Sequence, residues 1–193
     1  MRLGRQVSLV LMVLACVPAA RADEVADNIA KAAAAWQAHD SQGTLNALDA
    51  ATKAVHQVRA DALKQLLPLP LPGWTADPPQ TSAVGVEMLG GGTSASRIYH
   101  NGSERVDVQI TTDSPMLQNM AALLQSPYAQ AAGVKAVTVA GHALSYTESD
   151  NSYIALVADK IIIKIAGNKD TPEPVVRTFV AAVDFAAAGR LAH

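Results

Sequence analysis

From residue 23 to about residue 66, apolar side chains recur every three or four positions. Val25, Ile29, Ala32, Trp36 and His39 follow 4-3-4-3 spacing, which places them on one face of a helix. Asp40-Ser41-Gln42-Gly43 interrupts the pattern, and Thr44 is placed to cap a second helix. That helix carries a stripe of Leu45, Leu48, Ala51, Val55, Val58, Ala62 and Leu66. So short a break predicts an antiparallel helical hairpin over residues 23–66. Alanine at many facing positions lets the helices approach closely. The stripe either packs the two helices on each other or offers a docking surface, and an amphipathic face usually buries itself within its own chain.

Residues 67–79, "LPLPLPGWTADPP", hold five prolines and forbid helix. Residues 67–80 are therefore expected to be an extended linker, with Leu69, Leu71 and Trp74 lying along the next domain as a strap. From Ser82 the period changes to two. Residues 83–88 and 95–100 read as strands, and Asn101-Gly102-Ser103-Glu104 is a hairpin turn signal. In Arg105-Val-Asp-Val-Gln-Ile-Thr111, Val106, Val108 and Ile110 share a face. Asp113-Ser114-Pro115 opens a helix with Met116, Met120, Leu123 and Leu124 on its buried side. Strands follow at residues 134–140, 143–148, 153–158 and 160–166. Thr171-Pro-Glu173 opens a single closing helix lined by Val176, Phe179, Val180, Val183 and Ala187. Close-set strands with short turns predict an α+β domain over residues 81–193, a mainly antiparallel sheet with covering helices. The strand–helix alternation of a dinucleotide-binding fold is absent.

The order "LPLPGW", "RVDVQI", "VADKIIIKIAG" and "VVRTFVAAVDFAA" resembles the pattern of PsbP-like α+β domains, including exported bacterial lipoproteins of the DcrB and LpqN kind. The resemblance covers residues 68–190 and leaves the helical hairpin outside. It concerns the order of elements rather than a catalytic motif, so no functional residue is carried over. It implies an accessory or binding role in the cell envelope rather than catalysis, and it adds a little weight to the lipoprotein alternative.

The N-terminus changes where such a chain is expected to act. Arg2 and Arg5 precede an apolar run of about eleven residues, too short for a bilayer core. Pro18 breaks the run, and Ala20-Arg21-Ala22 offers small residues for a signal peptidase, so residues 1–22 read as a signal peptide. A periplasmic product starting at Asp23 is the expectation. The alternative is lipidation of Cys16 in Val13-Leu14-Ala15-Cys16, which would anchor the protein to a membrane. Cys16 is the only cysteine, so cleavage after Ala22 leaves no thiol for a disulfide, a metal or a nucleophile. Cleavage also removes three of the 15 Lys+Arg, leaving 12 against 17 Asp+Glu, a formal −5. That charge disfavours nucleic acid as a partner.

Candidate chemistry is sparse. Met88-Leu-Gly-Gly-Gly-Thr-Ser-Ala-Ser96 has the glycines of a phosphate loop. It falls between two expected strands and lacks the following lysine and helix, so a wide hairpin or bulge is the better reading. His39, His56, His100, His142 and His193 show no metal-ligand spacing. Ser94 or Ser96 with His100 is the one conceivable hydrolase pairing, although no nucleophile-elbow motif is present, and capping explains Ser114. Glu148, Asp150 and Asn151 read as a solvated turn rather than a calcium loop. Asp184, set between Val183 and Phe185, either pairs with Arg97 or Lys164 or lies at the edge of the helix stripe. Trp74, Met88, Met116, Met120 and Leu123 are positioned to line a pocket for a small apolar ligand, or simply to fill the core.

No catalytic, cofactor-binding or metal-binding residue is assigned, and no cofactor is expected. The sequence predicts an exported envelope accessory protein without catalytic activity, acting through an envelope protein partner, with no transmembrane span in the processed chain. A carrier of an apolar ligand and a serine hydrolase are the alternatives.

Overall fold

The computed structural model describes residues 17–82, 92–112, 131 and 133–192, with the backbone alone described at residues 17–22. The chain divides into two compact units, Met1–Ala51 and Thr52–His193. The fold is α+β, with an N-terminal pair of helices packed on each other and an antiparallel sheet of eight strands. The expected strand at residues 83–88, the expected helix after Asp113, Cys16 and His193 lie outside the described residues.

In the first unit, α1 spans Val17–Gln37 and is followed by the start of α2, Ser41–Lys64. α1 begins six residues before the expected start. Pro18 stands in its first turn, where the missing N–H has no intrahelical partner to lose. The chain reverses through His39, whose φ of 60° is left-handed. Asp40, not Thr44, caps α2, with its Oδ1 accepting the Gly43 N–H at 2.8 Å. The Thr44 hydroxyl instead donates to the Asp40 carbonyl at 2.8 Å. A Cβ on Gly43 would stand 2.2 Å from Asp40 Oδ2, so a larger residue there would make the Asp40 carboxylate turn.

The buried row of this hairpin is made of small residues. Asn28, Ala32 and Ala51 are buried, and Val25, Ala35, Thr44, Ala47 and Ala50 are half-buried. The expected stripe is therefore displaced. Ile29, Trp36, Leu45 and Leu48 were the large members of that stripe, yet all four are exposed, as is His39. Spacing gives the period of an apolar row, but two adjacent rows share that period. Steric fit then selects the alanine row, which lets the backbones approach.

In the second unit the rest of α2 contributes Ala54, Ala60 and Leu63 as buried positions, Leu66 just beyond it is also buried, and Val55 and Val58 are exposed. The proline strap follows. Leu67 and Pro68 are buried, Leu71 and Trp74 pack on the core, and the Tyr99 hydroxyl donates to the Pro68 carbonyl at 2.6 Å. Leu69 departs from the expectation and is 81% exposed; Pro68, Leu71 and Trp74, three apart, take the inward side, the period of a polyproline-type strap with three residues per turn.

The strands are β1 (Thr75–Ala76), β2 (Gln80–Ser82), β3 (Thr93–Asn101), β4 (Glu104–Thr112), β5 (Val134–Val139), β6 (His142–Thr147), β7 (Ser152–Val157) and β8 (Ile161–Gly167). They run in the order β1-β3-β4-β8-β7-β6-β5, with β2 also on β3, and every pairing is antiparallel. One face carries Tyr99, Val106, Val108, Ile110, Tyr153, Ile163 and Ile165, all buried. α3 (Glu173–Ala181) brings Val176, Phe179 and Val180 to this core, and α4 (Phe185–Leu191) brings Phe185 and Ala188.

The closing helix is thus two helices rather than one. The break falls at Asp184, whose Oδ1 accepts the Ala187 N–H at 2.8 Å and caps α4. Asp184 is exposed and needs neither Arg97 nor Lys164 as a partner. A carboxylate inside an apolar run here marks a new helix start, which satisfies an otherwise orphaned N–H.

Candidate functional site

The most distinctive feature of the surface is in the first unit. Ile29 is 54% exposed, Trp36 66%, Leu45 61% and Leu48 47%. Each residue turns a helix by about 100°. Ile29 and Trp36 each stand one residue beyond a seam position, Asn28 and Ala35, so they share one flank of the seam. Leu45 and Leu48 stand one residue beyond Thr44 and Ala47 on α2. Antiparallel helices turn in opposite senses when viewed from one end, so the two flanks fall on the same side of the hairpin. Ala26 and Ala33 fill the rows between. Glu24 and Lys31 fall on the opposite flank, and Asp23, Asp27 and Asp49 on the back. One side of the hairpin is therefore apolar and uncharged.

A second feature, in the other unit, is an open polar cleft of about 380 Å³ between the β6–β7 turn and the β8–α3 connection. Asn151, with a left-handed φ of 45°, donates from Nδ2 to the Thr171 carbonyl at 2.8 Å. Its own carbonyl accepts the Gly167 N–H at 3.0 Å. The Thr171 hydroxyl accepts the Arg105 N–H at 3.0 Å and stands 2.6 Å from Asn168 Oδ1. A Cβ on Gly167 would lie 2.6 Å from Val176 Cγ2 and 2.7 Å from Asn151 Nδ2, so no larger residue fits. These groups satisfy one another and clamp the end of the sheet.

On the wall of the cleft the Tyr153 hydroxyl donates to Glu173 Oε1, and the Tyr153 ring lies 4.7 Å from that of Tyr146. Burial raises the Tyr153 pKa, and the hydrogen bond and charge of Glu173 raise it further. Burial, then the Glu173 charge, raises Tyr146 as well. Both phenols thus stay protonated at neutral pH and act as donors rather than nucleophiles. At the rim Lys135 Nζ meets Glu148 Oε2 at 2.7 Å, and this exposed pair raises the lysine and lowers the glutamate.

Several expected site residues do not converge. Ser94, Ser96 and His100 lie on the solvent side of β3. At about 3.4 Å per residue along a strand, Ser96 stands roughly 13 Å from His100 and Ser94 roughly 20 Å. His100 Nε2 instead meets Asp77 Oδ2 at 3.2 Å. Ser96 borders a shallow polar depression with Asp107, Gln109 and Lys164. His56 Nδ1 is hydrogen-bonded to the Thr93 hydroxyl at 3.0 Å, and the His142 ring stacks on Phe185 at 4.3 Å.

Among the described residues, no group of three or more His, Cys, Asp or Glu side chains is placed to hold a metal ion. Trp74 packs edge-on against Phe179 at 5.0 Å. The other residues expected to line a ligand pocket, Met88, Met116, Met120 and Leu123, lie outside the described residues. So do Gly90 and Gly91 of the glycine-rich stretch, but its flanks are informative. Ser82 of β2 stands opposite Ser94 of β3 in an antiparallel pair, so the stretch connects strand to strand. A phosphate loop connects strand to helix.

The sequence signal of the apolar side is its row of large residues, which spacing alone places in the stripe between the helices and the structure leaves exposed. The excess of alanine in the neighbouring row was the mark of the true seam. Among the described residues, no helix is long and apolar enough to cross a membrane. Compared with known proteins, the chain matches no family model, no curated protein and no solved structure.

Proposed function

We propose that this chain is an exported accessory protein of the bacterial envelope that works by protein–protein contact rather than by catalysis. The observation that carries the reading is the uncharged apolar side of the hairpin, with Ile29, Trp36, Leu45 and Leu48 open to solvent. Single exposed apolar residues are ordinary, but four large ones on one side of a small helical unit mark a contact surface. An aromatic anchor such as Trp36 is the kind of side chain that carries interface energy. The signal-peptide pattern of residues 1–22 supports export.

The test is site-specific photo-crosslinking in the expressing bacterium. A photoreactive residue at position 36 or 45 is expected to give a discrete protein adduct. The same residue at position 96, on the open face of the sheet, is the control. Adducts no stronger at 36 and 45 than at 96 would overturn the reading.

A further inference from the structure

We infer that the apolar side of the hairpin is covered by a second copy of this chain, so that two hairpins form a four-helix bundle about a two-fold axis. This inference rests on the reading of that side as a contact surface and adds the identity of its occupant.

Three observations favour a second copy. The outer rows have the same spacing as the inner ones. On α1, Ala26, Ile29, Ala33 and Trp36 follow 3-4-3 spacing, beside the inner row Val25, Asn28, Ala32 and Ala35. On α2, Leu45 and Leu48 stand three apart beside Thr44 and Ala47. A helix with two adjacent seams of this period is what a four-helix bundle requires, one seam for each neighbour.

The second observation is charge. The chain is net negative, yet its hairpin acids lie on the back and the far flank. Two copies placed face to face bring no like charges together. A basic partner would find no acidic rim here to recognise.

The third is size. With residues 1–22 removed, α1 keeps 15 residues, 23–37, so the side is about 22 Å long at 1.5 Å per residue. Two helices packed 8–10 Å apart make it roughly 20 Å wide. About 440 Å² per copy lies well below the roughly 800 Å² of a standard interface, which predicts a weak, reversible dimer. Apolar faces pointing towards each other across a two-fold axis also close the assembly, so growth stops at two.

The experiment is sedimentation velocity of the purified protein from about 1 µM to 1 mM, a range suited to a weak dimer. The weight-average mass is expected to rise from one copy towards two, with tryptophan emission moving to the blue as Trp36 is covered. Read in a Trp74→Phe background, that shift belongs to Trp36 alone. Trp36→Glu and Leu45→Glu should each weaken the dimer at least about tenfold, as expected when a charge enters an interface core. Ser96→Glu should leave it unchanged. Far-UV circular dichroism confirms the fold of each variant, and Leu48→Gln replaces any that fails.

A mass that stays at one copy throughout, or a dimer that neither glutamate weakens, overturns the inference. If a monomeric protein still gives adducts of other mass at positions 36 and 45, only the self-association is wrong. If it gives none, the contact reading falls as well.

Discussion

In residues 23–51 the buried positions are Asn28, Ala32 and Ala51, and Ile29, Trp36, Leu45 and Leu48 stand outside. In residues 52–192 the arrangement is reversed. Tyr99, Tyr153, Phe179 and the isoleucines of β4 and β8 are buried, and Gln109 and Lys164 face solvent. Apolar burial contributes roughly 25 cal/mol per Å². An alanine seam therefore yields little, and a sheet face covered by Phe179, Val176 and Val180 yields much. The larger unit has a core of its own. The hairpin leaves its largest apolar side chains exposed, and this is why a contact surface is proposed there.

The sharpest way to test that contrast is to truncate the core of the larger unit. Phe179→Ala removes a ring that touches both Trp74 at 5.0 Å and Tyr99 at 4.8 Å. It should cost about 3–5 kcal/mol, read from the urea midpoint. Core truncation as cheap as surface truncation would mean the two units do not differ as described.

The second test inverts the usual rule of size. Ala32→Leu adds apolar volume to the hairpin seam and should destabilise it by about 1–3 kcal/mol, because the close approach is lost. Leu45→Ala removes apolar volume nearby and should change monomer stability by less than about 0.5 kcal/mol. Thermal melts of the dilute monomer followed by circular dichroism at the helix signal compare the two. Stabilisation by Ala32→Leu would show that the seam is loosely packed.

Tyr99 ties the strap to the sheet, and Tyr99→Phe leaves the buried Pro68 carbonyl without its donor, at a cost of about 1–3 kcal/mol. Burial pushes the Tyr99 pKa up to about 12, partly offset by the Arg97 guanidinium. An unfolded tyrosine ionises near 10. The folded state therefore holds the proton more tightly. Stability is full below about pH 10 and falls as the pH rises through about 12. Tyr153 shifts in the same direction, so Tyr99→Phe should flatten only part of the alkaline decline. Unfolding followed across that range by phenolate absorbance checks the sign. A smaller loss is expected on removing either helix cap. Asp40→Ala and Asp184→Ala should each cost about 1 kcal/mol, and Asp40→Asn should retain most of the first cap.

How far the sequence could be read differs between the units for the same reason. In the sheet the period of two leaves one choice, which face is inward, and Val106, Val108 and Ile110 settle it. The strands of the four hairpin arms after residue 133 accordingly fall within a residue or two of their expected bounds. In the hairpin the helical period leaves adjacent rows to choose from, and the larger side chains pointed to the wrong one. The capping residues were hidden for a related reason. Asp40 and Thr44 are both good cap formers, and only the reversal at His39 puts Asp40 in place. Asp184 looked like a misfit within one helix because two short helices and one long one carry the same apolar spacing.

The sequence by itself determined the class of fold, the antiparallel hairpins, and the extended strap where proline removes donors and fixes φ. Those are local properties, set by period, turn residues and backbone sterics. Tertiary structure alone decided which helical row is covered, which of Leu69 and Leu71 meets the core, and how far Ser96 lies from His100. Each depends on distances between residues far apart in the chain, and spacing along the chain does not encode them.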